Sequence, residues 1–499
     1  MKKYLLIGLL LLTSPLMLSA QRNDGAVIPG DFADPSIIKV KSTYFAVGTS
    51  SEWAPHFPIY RSADLKNWYQ SGYVFDKAPD WTSGSFWAPE YYKIKNTYYI
   101  YYTARRKSDN ASYIGVATSK YPDKEFKDHG VLIAFGKEAI DAFVFNDGGQ
   151  LYITFKAYGL DKRPIELLAS KLSADGLKLE GNIFSLLKDE QRLGMEGQSI
   201  LKKDGYYYLF YSAGNCCGIQ CSYNVQVARA KGFSGPYELY AGNPVLAENN
   251  KWKCMGHGTF VTGESGNYYY LHHAYNKESS VLTGRQALLS ELVWPENSGW
   301  PRFKPQQVVG NKAPDIIDKF MAPAISKFWQ WDFRHATPDI SQQKGVLYLS
   351  GNVKPDNQTG VVLTSRPVSG SFVMNVTVLN YNEALKGLSF YGDVNAALGI
   401  GIQNNRVLVW QISEHNFSVL AEAPVLKEPA QLRLELTTGK RCKFYYQQGK
   451  KGWLPLLTAD TLKVDALPQW DRSPRIGLHF KGDSSLNAQF ANFSILMDH

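Results

Sequence analysis

Asp31-Phe32-Ala33-Asp34-Pro35-Ser36 is the first copy of a pattern that returns four more times along the chain. Asp34 heads it, and the corresponding heads are Trp87, Asp141, Glu196 and His257, at steps of about 50 to 60 residues. Behind each head come a short apolar run, a turn containing Gly, Asn or Ser, and an aromatic stretch. These stretches are Tyr44-Phe45-Ala46-Val47, Tyr98-Tyr99-Ile100-Tyr101-Tyr102, Leu151-Tyr152-Ile153-Thr154-Phe155, Tyr206-Tyr207-Tyr208-Leu209-Phe210 and Tyr268-Tyr269-Tyr270-Leu271-His272. A third apolar run follows in every copy, from Ile59-Tyr60-Arg61-Ser62 in the first to Gln286-Ala287-Leu288-Leu289 in the fifth. Aromatic and β-branched runs between turn residues form strands joined by hairpins. Five such units predict a five-bladed β-propeller. The first strand of each blade lines the axis, so the five heads are expected around one mouth, and three of them are carboxylates.

Outside this repeat the texture changes. Residues 1–20 carry basic Lys2 and Lys3, an apolar core from Tyr4 to Leu12 and a small-residue end at Leu18-Ser19-Ala20, the pattern of a cleaved secretory signal. That predicts a secreted or periplasmic protein. With no Cys after the apolar core and no later run of the roughly 18 apolar residues a spanning helix needs, no membrane anchor is expected. The propeller is predicted over 21–311. Residues 312–327, with Pro314 and Pro323, read as a linker with a short helix. Over 328–499, runs such as Phe372-Val373-Met374-Asn375-Val376, Val407-Leu408-Val409-Trp410 and Ile476-Gly477-Leu478-His479-Phe480 are short strands at irregular spacing, several alternating apolar and polar. They predict a β-sandwich of jelly-roll or concanavalin-like type, making the whole chain all-β.

The formal net charge is +9, yet Lys and Arg are scattered without a like-charged block. A solvated surface accounts for that balance, and no nucleic-acid partner is expected. The five cysteines are Cys216, Cys217, Cys221, Cys254 and Cys442. An adjacent pair is poor spacing for tetrahedral zinc. One or two disulfides pinning a loop, or plain thiols, fit better, and the connectivity stays open.

Asp34, Asp141 and Glu196 form the constellation that could carry chemistry. Cleaving a glycosidic bond needs two carboxyl groups, one protonated to release the leaving oxygen and one ionised to activate water or to attack. A third acid can hold the proton on the first by like-charge repulsion. Any one of these acids alone is better read as a turn residue. Three in blade register, with aromatics near, are not well explained that way.

Asp34-Pro35-Ser36, Trp87-Ala88-Pro89-Glu90, the Ile140-Asp141 strand entry, Glu196-Gly197 and Gly256-His257-Gly258 follow the order and spacing of glycoside hydrolase family 43, which the chain resembles. The resemblance implies a five-bladed propeller and an inverting mechanism. It assigns Asp34 as general base, Glu196 as general acid and Asp141 as the residue that raises the acid's pKa and orients it. The chain departs at Ala142-Phe143, where the family usually has a small pair. Asp31 competes for the base, and the Pro-Ser after Asp34 decides against it. His257 matches a position that often faces a central calcium or sodium ion through water; a core histidine is the equal alternative. No cofactor is implied for the chemistry itself. Arg285 matches an arginine that reaches the substrate, while Trp87, with Phe143 and Trp53, could offer an apolar platform to a sugar.

The segment from Gly214-Asn215-Cys216-Cys217-Gly218 to Ser222-Tyr223-Asn224-Val225 resembles arabinan-cleaving members. The first blade, from Gly48-Thr49-Ser50-Ser51 to Pro58-Ile59-Tyr60-Arg61-Ser62, resembles exo-acting xylosidases and arabinofuranosidases. The expectation is an exported hydrolase of α-L-arabinofuranosyl linkages in a plant polysaccharide such as arabinan, arabinogalactan or arabinoxylan. β-Xylosidase or β-D-galactofuranosidase action is the same-class alternative, and a non-catalytic glycan-binding propeller the other. The sandwich resembles lectin-like accessory domains through Leu398-Gly399-Ile400-Gly401-Ile402 and the expected strand Trp329-Gln330-Trp331-Asp332-Phe333, and bracing the propeller is its expected role.

Overall fold

Each aromatic stretch becomes the second strand of a four-stranded antiparallel sheet, and five such sheets follow one another along the chain. The first comprises Ser36–Val40, Thr43–Val47, His56–Ser62 and Tyr69–Phe75; the second Thr82–Ile94, Thr97–Arg106, Ser112–Ser119 and Lys127–Ile133. The third holds Ala139–Asp147, Gln150–Ala157, Ile165–Leu172 and Phe184–Asp189, and the fourth Met195–Lys203, Tyr206–Ala213, Asn224–Ala230 and Glu238–Leu239. The fifth contains Trp252–Thr262, Tyr268–Asn276, Arg285–Val293 and Arg302–Phe303, with one helical turn at Ser280–Thr283. This is a computed structural model, and it describes residues 25–157, 164–190, 192–296, 298–305, 308–310, 314–437, 440–458, 462, 464, 467 and 470–497. The expected signal segment 1–20 lies outside the described residues.

Large apolar side chains from neighbouring blades interlock, which is why the second strands are so aromatic. Tyr101 and Ile114 pack on Ile153 and Phe155 between the second and third blades. Ile37 and Ala46 pack on Leu271 and Leu289, closing the ring between the first and fifth. Val27 adds a backbone bond, its N–H donating to Ala287 O at 2.9 Å.

The entry to each first strand is irregular in the same way. Asp34, Ala88, Asp141, Gly197 and His257 all have left-handed backbones, with φ of 50°, 44°, 60°, 58° and 44°. Trp87 and Glu196 therefore sit one residue before the position that Asp34, Asp141 and His257 occupy, which corrects the register of the second and fourth copies. The sequence pattern matched side-chain type, whereas backbone conformation sets the equivalence. For a non-glycine residue this conformation costs about 1–2 kcal/mol, least for Asp, and such strain concentrates at functional sites. The ladder is broken beside these residues, between Ile140 and Phe143, Glu196 and Ser199, and Gly256 and Gly258. A broken ladder turns the side chains there toward the axis.

The C-terminal region is two antiparallel sheets packed face to face. One contains Ala336–Gln343, Val346–Val353, Ala488–Met497, Phe372–Val378, Ala430–Thr437, Arg441–Gln448 and Leu454–Leu457; the other Val361–Ser365, Arg475–Lys481, Leu385–Asp393, Ala396–Gln403, Arg406–Ser413 and Asn416–Pro424. Phe372–Val378 alternates buried and half-buried along its length, so Phe372, Met374, Val376 and Val378 enter the core between the sheets. At Gly399 a Cβ would fall 2.2 Å from Leu388 O, which accounts for the glycine in that strand.

Two expectations need correction. Where a short helix was expected in 312–327, the described residues instead form a strand, Ile316–Asp318, that pairs with Phe493–Ile495 of the first sheet. An unpaired sheet edge with apolar Ile316 beside it outweighs the local helical pattern. The Trp329–Phe333 stretch is not a strand of either sandwich sheet. Trp331–Asp332 pairs with Trp53–Ala54 of the first blade and ties the two regions together.

Candidate active site

The irregular strand entries converge on a cavity of about 330 Å³ at the mouth of the propeller, lined by Asp34, Trp87, Asp141, Glu196, His257 and Arg285 among others. A larger groove of about 550 Å³ lies between the first blade and the sandwich, but no carboxylate lines it. The smaller cavity is the one equipped for acid–base chemistry.

Asp34 is enclosed by cations and donors. Arg285 Nη1 donates to Oδ1 at 3.0 Å, and Thr49 Oγ1 donates to Oδ2 at 2.7 Å. His257 Nδ1 stands 3.4 Å from Oδ1, and Asp34 N–H donates to His273 Nδ1 at 3.1 Å. Burial alone would raise this carboxyl's pKa. The charge of Arg285, with His257 and His273, outweighs burial and holds it well below the usual carboxylate range. Asp34 is thus ionised at any working pH.

Asp141 is equally buried but differently furnished. Its N–H donates to Thr103 Oγ1 at 3.2 Å, and Gly197 N–H donates to its Oδ2 at 3.1 Å. Gln198 Nε2 donates to its backbone oxygen at 2.5 Å. Burial, with the charges of Glu196 and Asp34, overrides His257 and Lys156 and pushes Asp141 up to about 6. Glu196 Oε1 accepts from Tyr223 O–H at 2.9 Å, and Oε2 accepts from the buried ammonium of Lys156. Burial would raise Glu196, yet Lys156, with smaller help from His257 and Tyr223, brings it below the usual value.

In this geometry the shift expected at the acid falls instead on Asp141. The cause is Lys156, which sequence reading did not single out. It stands on the second strand of the third blade in an otherwise ordinary aromatic run, and a lone lysine in such a run, Tyr152-Ile153-Thr154-Phe155-Lys156, was the available signal.

The remaining candidates separate. Trp87 lines the cavity, and Arg285 does so while bound to Asp34. Phe143 does not line it. Phe143 is packed between the third and fourth blades with Leu167, Met195 and Ile200, because the irregular turn at Asp141 rotates the strand that follows. Trp53 is buried under Tyr391 of the sandwich, with the Arg475 guanidinium 5.0 Å from its ring, so neither residue is a platform for a sugar. Asp31 points away from the cavity: Ser473 N–H and Arg475 Nη2 approach its Oδ2 at 3.3 and 3.5 Å.

The sandwich itself reaches the site. Asp471 Oδ2 accepts from Trp87 Nε1 at 2.9 Å, and Asp471 O accepts from Arg285 Nη2 at 2.8 Å. Trp470 meets Trp87 edge to face, with ring centroids 6.4 Å apart. Nothing in the sequence around Trp470 marks it as part of a site formed more than 150 residues earlier.

The cation expected near His257 finds no direct ligand set. Among the described residues, no group of three or more His, Cys, Asp or Glu side chains could hold a metal ion. His257 Nδ1 is turned to Asp34 and, at 3.9 Å, to Asp141. Hard cations take oxygen ligands, which one imidazole does not supply. Among the described residues no helix is long and apolar enough to cross a membrane.

Comparison with known proteins bears on this arrangement. The profile of glycosyl hydrolases family 43 matches residues 24–301. The extracellular exo-α-(1→5)-L-arabinofuranosidase ArbA of Cellvibrio japonicus is 30% identical over 312 residues, covering 56% of this chain and 88% of that protein. The extracellular endo-α-(1→5)-L-arabinanase 1 of Bacillus subtilis is 27% identical over 293 residues, covering 54% and 87%. Both likenesses are confined to about half of this chain. A crystal structure of the family 43 protein BlXynB from Bacillus licheniformis superposes with a TM-score of 0.81 over 95% of this chain and 99% of that one at 21% identity, so the two-part fold is shared. The mouth of carboxylates belongs to a glycosidase, and the chain is a member of glycosyl hydrolases family 43.

Proposed function

We propose that the protein is an exported, inverting, exo-acting α-L-arabinofuranosidase that trims plant polysaccharide. The observation that carries this reading is the pairing, across one cavity, of Asp34 fixed in its ionised form with the Asp141–Glu196 pair that retains a proton up to about pH 6. Asp34 accepts the proton of an attacking water. Glu196 donates to the leaving oxygen, and Asp141 is the proton reservoir beside it. Bound substrate excludes water from the cavity, and the added burial raises the affinity of Glu196 for the proton that Asp141 holds. The proton passes from Asp141 to Glu196 and from Glu196 to the leaving oxygen, which leaves Asp141 and Glu196 both ionised until a proton returns from solvent. Trp470 and Asp471 stand as a wall at the edge of the cavity, which supports removal of terminal sugars. The similarity to ArbA supports arabinofuranose as the sugar.

Chain-internal arabinan cleavage is the second reading, favoured by the similarity to the B. subtilis endo-arabinanase. The test is hydrolysis of nitrophenyl α-L-arabinofuranoside, β-xyloside and β-galactofuranoside, and of 1,5-linked arabinobiose, with Glu196→Ala beside the parent. Cleavage of the arabinosides alone is expected. The variant should lose about 10²–10⁴-fold on the disaccharide, and less on the nitrophenyl glycoside, whose leaving group departs without a proton. Full activity of Glu196→Ala on arabinobiose would sink the assignment. Cleavage of polymer with none of the small substrates would select the endo reading.

A further inference from the structure

Cys216 and Cys217, adjacent in sequence, are joined in a disulfide, and both line the cavity that holds the three acids. We propose that this vicinal disulfide is the platform for the sugar on the leaving-group side of the scissile bond. The inference rests on the function proposed above and specifies a subsite within it.

Three observations carry it. The first is position. The ring follows directly on the strand Tyr206–Ala213, whose end pairs with the start of Met195–Lys203: Ala213 lies opposite Met195, and Ser212 opposite Glu196. The disulfide is therefore next to the proposed acid, and the group beside the acid must receive the leaving sugar, since the acid touches the oxygen that joins the two sugars.

The second is rigidity. Cys221–Cys254 ties the far end of the loop to the first strand of the fifth blade, beside Gly256 and His257. Gly218 N–H donates to Tyr275 O–H at 3.2 Å, and Ser222 N–H donates to Asn215 O at 3.0 Å. A surface anchored this way loses little entropy when a ligand settles on it.

The third is chemistry. A disulfide closed between neighbouring residues presents two polarisable sulfurs and their methylenes with no hydrogen-bond donor, much as a thioether does. That is an apolar face for the C–H side of a sugar, half-buried here and open to the cavity. The aromatic residues usually sought for this task are on other parts of the rim, at Trp87 and Trp470.

The test separates the leaving-group side from the rest of the site. Parent and Cys216→Ala/Cys217→Ala proteins are compared on α-L-arabinofuranosyl fluoride, which has no leaving sugar, and on 1,5-linked arabinobiose. Removing the platform should lower kcat/KM on the disaccharide about tenfold through KM and leave the fluoride within about twofold. Cys217→Ser, which opens the ring while keeping the bulk, should give the same split and serves if the double variant does not fold. An equal fall on both substrates, or no fall on either, overturns the proposal. A parent protein that leaves both arabinosides intact overturns the function reading, and the subsite assignment with it.

Discussion

Asp34 and Asp141 occupy equivalent places two blades apart. Both have left-handed backbones, both are more than nine-tenths buried, and both face the same cavity. Their protonation nonetheless runs in opposite directions. Asp34 has the Arg285 guanidinium and two imidazoles within 3.4 Å and stays ionised. Asp141 has a backbone N–H and a neighbouring carboxylate, and its pKa rises to about 6. Burial is common to both and so decides nothing between them. The fixed cations decide, and they come from elsewhere in the chain: Arg285 from the fifth blade for Asp34, Lys156 from within the third blade for Glu196.

The largest effect should come from abolishing the ionised side. Asp34→Asn should lower kcat by about 10²–10⁴-fold with small change in KM, measured on a nitrophenyl arabinofuranoside. A loss under tenfold would mean the two sides are not base and acid.

The next predictions move the two limbs of the pH profile separately. Lys156→Met removes the cation that depresses Glu196, so the acid's pKa rises and it remains protonated to higher pH. The basic limb of kcat/KM against pH should then shift upward, with no acidic limb appearing from Asp34, which stays ionised. Arg285→Gln removes the main cation that depresses Asp34. The base then ionises only at higher pH, and an acidic limb absent from the parent should rise toward the working range while the basic limb stays. An acidic limb appearing in Lys156→Met, or a shifted basic limb in Arg285→Gln, would refute the division of charge described here.

A smaller effect is expected from the sandwich side. Trp470→Ala should raise KM by roughly tenfold, equivalent to about 1.4 kcal/mol, with kcat little changed. If the variant gains activity on internal linkages of polymeric arabinan, the wall formed by Trp470 and Asp471 is what confines the site to chain ends.

The smallest effect concerns a carboxyl that is buried without any cation. Glu90 Oε2 accepts from Ser36 Oγ at 2.6 Å and Oε1 from Val144 N–H at 3.3 Å, pinning three blades at the axis. Burial pushes it from 4.5 up to about 8. Because the folded pKa is the higher one, its contribution to stability is complete below about pH 4.5 and is lost as pH rises toward 8. Glu90→Gln keeps the bonding shape without the titration. The difference in Tm between variant and parent should move in the variant's favour from pH 5 to pH 8, and a constant difference would show that Glu90 does not titrate in this range.

Much of the site was legible before the fold was known. The repeat predicted five blades because aromatic strands separated by turn residues can bury their faces only against neighbouring copies of themselves. The heads predicted which strand entries meet, since the first strand of a blade has no choice but to line the axis. Asp34, Asp141 and Glu196 could be named from that register alone, even though it was off by one residue at Trp87 and Glu196. There the same conformation falls on Ala88 and Gly197; the pattern followed the acidic and aromatic side chains, and while Gly197 is a residue suited to that backbone, Ala88 carries no sign of it.

Other features were fixed only when distant parts of the chain met. Phe143 looked like a sugar platform because it follows an acid, but strand rotation at Asp141 sends it into the core. Lys156 became part of the acid's environment because the third and fourth blades are adjacent. Trp470 and Asp471 joined the mouth because Trp331–Asp332 pairs with Trp53–Ala54 and brings the sandwich against the first blade. The sequence by itself determined the repeating strands and the acids at their entries, since both follow from local pattern and period. Protonation of each acid, the wall beside the cavity and the disulfide platform were decided by the tertiary structure, because each depends on charges and surfaces that approach across long separations in the chain.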